Sequence, residues 1–247
     1  MNRTRVLALA LVAAATLGGC RTSPVDSHSA LPQYAVGGEA EALLIIHERE
    51  RTIQTFNARA DIRLTDSSGK SVVLDGAIVL ERPGNLRLRL WKLGQAVLDL
   101  TANGDDAWVW IARDEASDAR QLTRSMLLNW TQILLDSANP AYVRQSALYG
   151  EFLRTHVARG ESTLVCQYRR DVLALSSVTL PDGQTPQTHI SFSDYRVVDK
   201  NVWPMHLNIS PTGNNSGQVD IYFKDTEING ELSPAAFKPP ARAEKLK

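Results

Sequence analysis

The stretch from Gly76 to Arg113 constrains the fold of the 247-residue chain most strongly, because apolar and polar residues alternate along it. Leu86, Leu88 and Leu90 are separated by single arginines, which is the two-residue period of a half-buried β-strand. Turn-forming residues interrupt the alternation at Pro83-Gly84-Asn85, Leu93-Gly94 and Asn103-Gly104-Asp105-Asp106. The pattern predicts a four-stranded antiparallel meander with tight turns.

The meander is expected to carry a large apolar surface on one face. The residues expected there are Ile78, Leu80, Leu86, Leu88, Leu90, Leu98, Leu100, Trp108 and Trp110. A surface of this kind is stable only when it is removed from water. An ordinary core, a covering helix or a bound apolar ligand would each achieve this, and the residues alone leave the three alternatives open.

The composition is typical of a globular protein with one large β domain. Hydrophobic residues make up 43% of the chain and charged residues 22%. The 27 basic side chains balance the 27 acidic ones. No long-range electrostatic field therefore favours nucleic acid or an anionic membrane surface as a partner.

The N-terminus has the pattern of a bacterial export signal. Two arginines precede an apolar run over residues 6–19, which is too short for a confident membrane span. The run ends in Leu17-Gly18-Gly19-Cys20, which resembles the lipobox whose cysteine is lipidated and becomes the first mature residue. An ordinary secretory signal with a chance cysteine is the alternative. We expect a signal peptide at 1–19, a lipidated flexible tether at 20–38 and one folded domain at 39–247.

Helices and further strands are predicted on either side of the meander. Apolar residues recur at helical spacing over 39–54 and 123–136, and Pro140 is well placed to begin another helix over 141–153. Strands are predicted at 56–64, at 71–82 and in five runs that begin at Ser162. The prediction is a mainly β protein with helices (α+β), in which about ten antiparallel strands form a curved sheet with helices against its concave face.

The sequence contains no catalytic or metal-binding motif. It has no GxSxG, HExxH, phosphate-binding loop or dinucleotide fingerprint, and its five histidines lack metal-ligand spacing. Cys166 is interpreted as a small buried hydrophobe. Arg87, Arg89, Arg169 and Arg170 are interpreted as parts of solvated outer faces. We expect no enzymatic activity, no metal and no cofactor.

Several segments together resemble the LolA/LolB superfamily, bacterial carriers and receptors that move lipoproteins to the outer membrane. They are the lipobox, FNARADIRL, GAIVLERPGNLRLRL, LGQAVLDLTANGDDAWVWI, VWPMHLNIS and QVDIYFKDTEINGELSPAAFKPP. The resemblance implies a half-open antiparallel β-barrel with a helical lid and an apolar cavity for acyl chains. It also implies lipoprotein localisation as the function, with acyl chains of lipids or lipoproteins as ligands.

A lipoprotein of this superfamily is closer to LolB, the membrane-anchored acceptor, than to the soluble carrier LolA. The resemblance implies attachment to the outer membrane through Cys20, facing the periplasm, with a periplasmic carrier protein as partner. It places Leu93, in a Leu-Gly turn, on a projecting loop that delivers cargo into the membrane. Two alternatives stay open: an envelope-stress sensor built on the same half-barrel, and a structural envelope lipoprotein without ligand.

The expected binding site joins one face of the sheet to the lid. The expected cavity lining is Phe56, Ile62, Leu64, Ile78, Leu80, Leu88, Leu90, Leu98, Leu100, Trp108 and Trp110. The expected lid residues are Leu127, Trp130 and Leu134. Both sets follow from apolar alternation along the strands and from helical spacing in the segment that separates the two halves of the sheet.

Overall fold

A computed structural model describes residues 30–104, 106–112, 133, 135–159, 162–180, 188–211 and 217–246. Helix α1 spans Glu39–Thr52, and the strands are β1 (Thr55–Thr65), β2 (Ser71–Glu81), β3 (Asn85–Lys92), β4 (Gln95–Asn103), β5 (Asp106–Ile111), β6 (Val143–Tyr149), β7 (Phe152–Arg159), β8 (Ser162–Arg169), β9 (Ala174–Leu180), β10 (Thr188–Val198), β11 (Asn201–Pro211), β12 (Gln218–Ile228) and β13 (Glu244–Lys245). The described residues thus form thirteen strands, rather than the predicted ten or so.

The strands form one open antiparallel sheet. Its order is β13-β5-β4-β3-β2-β1-β12-β11-β10-β9-β8-β7-β6, so the sheet does not close on itself within the described residues. The curved open sheet predicted from the sequence agrees with this architecture in outline. None of the helices in the described part of the chain is long and apolar enough to span a membrane.

The predicted meander is confirmed as β2 to β5. Lys92 pairs with Gln95, so Leu93 and Gly94 alone connect β3 to β4. Both residues have positive φ, 51° and 79°. Two-residue loops with positive φ match the right-handed twist of hairpin strands. Leu93 is therefore held at the tip of a tight hairpin.

The prediction of a helix over 141–153 is wrong. Val143–Tyr149 and Phe152–Arg159 form the hairpin β6–β7, which turns at Gly150 with φ of 56°. Leu153, Thr155 and Val157 are buried in alternation along β7. The apolar residues of this short segment are compatible with the helical period and with the two-residue period of a strand. Gly150, which allows the chain to reverse, favours a hairpin.

Cross-strand pairing defines two faces of the sheet. We call inner the face that carries Leu88, which lies opposite Ile78 on β2 and Leu100 on β4. The other face is the outer face. Most of the buried apolar residues of β1 to β5 belong to the inner face, where α1 contributes Ala42 and Ile46 to the same core.

Trp108 and Trp110 do not lie on the face expected for them. They pair with Thr101 and Asp99, which are on the outer face, whereas Val109 pairs with Leu100 on the inner face. Ala102 is opposite Ala107, and this register puts both tryptophans out of phase with the leucines of β4. A shift of one residue moves every side chain of a strand to the other face.

The outer face of the meander is also less solvated than expected. Arg87 donates from Nε and Nη2 to the two carboxylate oxygens of Asp99, at 2.9 and 2.8 Å. Arg89 Nε lies 3.1 Å from the same carboxylate, whose residue is only 4% exposed. The C-terminal segment crosses this face, since Arg87 also donates to the carbonyl of Ala236 at 2.9 Å and Leu246 donates its backbone N–H to Ala107.

Candidate functional site

The candidate site is the apolar inner face of the sheet. The structure buries seven of the expected lining residues: Phe56, Ile62, Ile78, Leu80, Leu90, Leu98 and Leu100. Leu64 and Leu88 pack against the same core but remain half-buried. Cys20 and the expected lid residues Leu127, Trp130 and Leu134 lie outside the described residues.

The inner face is incompletely covered at Leu88 on β3. Its partners across β2 and β4, Ile78 and Leu100, are 9% and 1% exposed, whereas Leu88 itself keeps intermediate exposure. Val109 and Ile111, on the inner face of β5, are half-buried as well. Several inner side chains of β3 and β5 are therefore only partly covered.

Small residues flank this region on β1 and β2. Ala60 pairs with Gly76, and Ala58 pairs with Ile78. A Cβ added to Gly76 would lie 2.8 Å from Cδ1 of Ile62, so the isoleucine packs directly on the glycine backbone. Side chains of larger volume at these positions would occupy the inner face themselves.

The other half of the sheet contributes aromatic residues to the inner core that the sequence analysis did not assign. Phe56 packs against Trp203 and Phe223, with ring centroids 4.6 and 5.5 Å apart. Phe192 is buried in the same cluster. Strict alternation in the predicted distal strands was the available signal, but the pairing partners of those strands were needed to say which alternate residues face inward.

Helix α1 and residues 135–138 are joined at one end of this core. The buried Glu50 carboxylate accepts hydrogen bonds from Ser137 Oγ at 2.8 Å and from the backbone N–H of Ala138 at 3.0 Å. Residues 135 and 136, just before this contact, are helical. A carboxylate of α1 thus holds the end of the segment in which the lid was predicted.

Arg82 joins the same two elements from the corner after β2. Its side chain donates to the carbonyls of Ile53 at 2.8 Å, Glu50 at 3.1 Å and Leu135, and it forms an ion pair with Asp136 at 3.5 Å. Carbonyls at helix ends lack partners within the helix, and a guanidinium satisfies several of them at once. Residues 135–138 are therefore fixed by both a buried carboxyl group and a partly buried guanidinium.

Burial raises the pKa of Glu50 from 4.5 to about 7, although the hydrogen bonds from Ala138 and Ser137 and the nearby Arg49 oppose the rise. Burial, together with the charge of Glu50, raises the pKa of Cys166 to about 12. The same causes raise the pKa of Tyr168 well above its ordinary value. The Cys166 thiol, fully buried as expected, therefore stays protonated at neutral pH.

A polar network lies on the outer face, away from the candidate site. His206 Nε2 is 3.0 Å from Asp220, and its Nδ1 is 3.0 Å from the hydroxyl of Ser193. Asp220 also accepts a hydrogen bond from Asn208 at 2.8 Å, and His206 stacks on Tyr222 with ring centroids 4.3 Å apart. These contacts join β10, β11 and β12 side by side. Among the described residues, no group of three or more His, Cys, Asp or Glu side chains is arranged to hold a metal ion.

Glu50→Gln is expected to change how stability depends on pH. The folded-state pKa of about 7 exceeds the ordinary 4.5, so folding retains a proton that the unfolded chain releases. The stabilisation from this proton is full below about pH 4.5 and is lost as the pH rises to about 7. Relative to wild type, the variant should gain about 3 kcal/mol across this interval.

Denaturant unfolding of both chains at several pH values measures this difference. Glu48→Gln, on the exposed side of the same helix, serves as the matched control and should follow the wild-type pH dependence. A constant difference between Glu50→Gln and wild type at every pH would contradict the assignment of a proton to Glu50.

No protein-family model and no curated protein matches the chain. Solved structures do: a DUF1329 family protein from Desulfovibrio piger has a TM-score of 0.59 and 13% identity, and the match covers 81% of this chain and 95% of that one. A LolA superfamily protein from Nitrosomonas europaea has a TM-score of 0.59 and 10% identity, and the match covers 83% of this chain and 99% of that one. A Vibrio parahaemolyticus domain named for outer membrane lipoprotein sorting has a TM-score of 0.54 and 10% identity. That match covers 81% of this chain and 96% of the domain. The chain therefore shares its open-sheet fold with these three structures.

Proposed function

We propose that this protein binds the acyl chains of a lipid or lipoprotein on the inner face of its sheet and passes them to a membrane of the bacterial envelope. The observation that carries the proposal is the incomplete burial of Leu88, which lies on the apolar inner face but is only half-buried. A hydrocarbon chain is the ligand whose chemistry fits a surface made of aliphatic side chains.

The fold comparisons support a ligand of this class. The structure from Nitrosomonas europaea is named as a LolA superfamily protein, and that from Vibrio parahaemolyticus is named for outer membrane lipoprotein sorting. Each shares the open sheet over most of its own length. The present chain has the same kind of sheet, with its apolar side only partly covered at β3 and β5.

Burial of hydrocarbon supplies the binding energy in this proposal. Each methylene removed from water contributes about 0.8 kcal/mol, so ten buried methylenes would contribute roughly 8 kcal/mol before the entropy of binding is subtracted. The lining consists of the inner-face residues, with Val109 and Ile111 replacing Trp108 and Trp110. Leu127, Trp130 and Leu134 stay assigned to the lid.

The contacts of Glu50 and Arg82 define which part of the lid stays in place. Both hold residues 135–138 against α1, so these four residues stay in place when the proposed lid opens. An open lid admits the acyl chain and a closed lid shields it from water. The protein then acts as a binding protein without turnover chemistry.

Membrane attachment and delivery complete the proposed function. Lipidated Cys20 anchors the protein to the outer membrane on its periplasmic side, where a carrier protein supplies the cargo. Leu93, 96% exposed at the tip of the β3–β4 hairpin, enters the membrane during delivery. This LolB-like role accounts for a fully exposed leucine at a position where a polar turn residue would serve the hairpin equally well.

Leu88→Gln should weaken acyl-chain binding with little effect on folding. The amide would lie on the partly covered inner face and lose its hydrogen bonds to water when an acyl chain binds, which costs about 1–3 kcal/mol. Affinity for a fluorescent fatty acid should fall by roughly ten-fold or more. Titration of the fluorescent fatty acid measures this affinity. Val79→Gln is the matched control, because Val79 is half-buried on the outer face of β2. Equal affinity of the Leu88 variant and wild type would remove the inner face as the binding site.

Leu93→Glu should leave acyl binding intact but slow delivery to membranes. A leucine that enters the bilayer contributes about 1.5–3 kcal/mol, so its loss should reduce the transfer of a bound lipopeptide to vesicles by roughly ten-fold or more. Leu44→Glu is the matched control, because Leu44 is an exposed leucine on α1, at 57%. Normal transfer by a folded Leu93→Glu chain would exclude the hairpin tip from delivery.

A further inference from the structure

The outer face of the meander continues the apolar character of the hairpin tip. Trp91 lies on this face two residues before Leu93, opposite Asp75 of β2. Val73 is two residues before Asp75 on the same face, and it therefore lies on the tip side of this pair. Val73 is 54% exposed, an unusual value for a large apolar side chain in a strand. Val73, Trp91 and Leu93 thus form one apolar edge at this end of the sheet, which we call the tip patch.

Charges of both signs accompany the tip patch. The Arg89 guanidinium lies 5.1 Å from the centre of the Trp91 ring. Arg63, on β1, is directly opposite Val73. Lys92 is next to Leu93. Asp75 lies between Val73 and Trp91, and two further acidic residues are close: Asp61 is opposite Asp75 and Asp220 is opposite Arg63. Asp61 pairs with Lys224, Asp220 contacts His206 and Asn208, and the buried Asp99 is engaged by Arg87 and Arg89.

This combination fits the boundary between the headgroups and acyl chains of a bilayer. Tryptophan is enriched at that boundary because its ring is amphipathic, and arginine reaches from an apolar surface to lipid phosphates. Each basic residue near an anionic leaflet is attracted to it, and this attraction falls off within about one Debye length of the surface. Trp110, on the same face and opposite Asp99, extends the aromatic surface beside Arg89.

We infer that the tip patch, with Arg63 and Arg89, docks on the surface of a bilayer that contains anionic phospholipids. The domain then lies with the tip end of the outer face of β2 and β3 against the headgroups, rather than touching the membrane with the hairpin tip alone. The inference rests on the proposed function, since it specifies how delivery through Leu93 orients the domain. The inner face remains directed away from the headgroups.

Environment-sensitive labels test this orientation. The chain from Arg21 onward lacks Cys20, so Cys166 is its single cysteine. Cys166 is fully buried, and its raised pKa of about 12 keeps it unreactive toward thiol reagents. A nitrobenzoxadiazole label can therefore be attached singly at Val73→Cys, at Leu93→Cys or, as control, at Tyr149→Cys. Tyr149 is also 54% exposed and lies on strand β6 at the far edge of the sheet.

With vesicles of phosphatidylcholine and phosphatidylglycerol, the labels at positions 73 and 93 should both shift to shorter emission wavelength and brighten by roughly two-fold or more. The label at position 149 should not change. A response at position 93 alone would overturn the inferred orientation and leave delivery by the tip intact. A lack of response at both positions would contradict the orientation and the proposed delivery step together, and equal responses at all three would indicate adsorption without orientation.

Charge removal tests the anionic component separately. Arg63→Gln should lower the affinity for vesicles containing phosphatidylglycerol by roughly five-fold, with no change for phosphatidylcholine alone. Arg59→Gln, on the same face of β1 but four residues further from the tip, is the matched control. Equal effects of the two substitutions would assign the attraction to overall charge and overturn the role of the tip patch.

Discussion

The structure depends on the need to bury one apolar face of a single sheet. A β-sheet whose inner side chains are aliphatic is stable only when another layer removes that face from water. In the described part of the chain that layer consists of helix α1 and residues around 133–138, because all the strands belong to one sheet. This layer buries some inner residues fully and leaves others, such as Leu88, half-buried. In the proposed function, an apolar ligand binds where this cover is incomplete.

The local elements could be predicted because their signals are local. The alternation from Leu86 to Leu90 and the Leu93-Gly94 turn predict a specific hairpin, and the structure contains it. The segment 141–153 was wrongly predicted as helix because a short apolar run allows either period. The phase of Trp108 and Trp110 was missed for a related reason: alternation says which residues share a face, but only the pairing register says which face is buried.

The contacts that fix the cover could not be predicted, since they join residues far apart in the chain. Glu50 and Ser137 are 87 residues apart, and Arg82 and Leu135 are 53 apart. Glu50 lies in a charged run that is typical of a solvated helix face, yet it is buried with a raised pKa. Arg87 and Arg89 likewise match a solvated pattern, whereas both are drawn to the buried Asp99. In each case a charged residue is retained inside because a partner from another element satisfies it.

The central claim is that the inner face holds hydrocarbon. Its most direct test is organic extraction of the chain from Arg21 onward, purified without detergent from bacterial periplasm, followed by mass spectrometry of the extract. The account predicts close to one diacyl lipid or lipopeptide per protein molecule, lost on exposure to excess competing fatty acid. An extract with no lipid, from a protein that also fails to bind added fatty acid, would mean that the inner face is an ordinary core and that the carrier account is wrong.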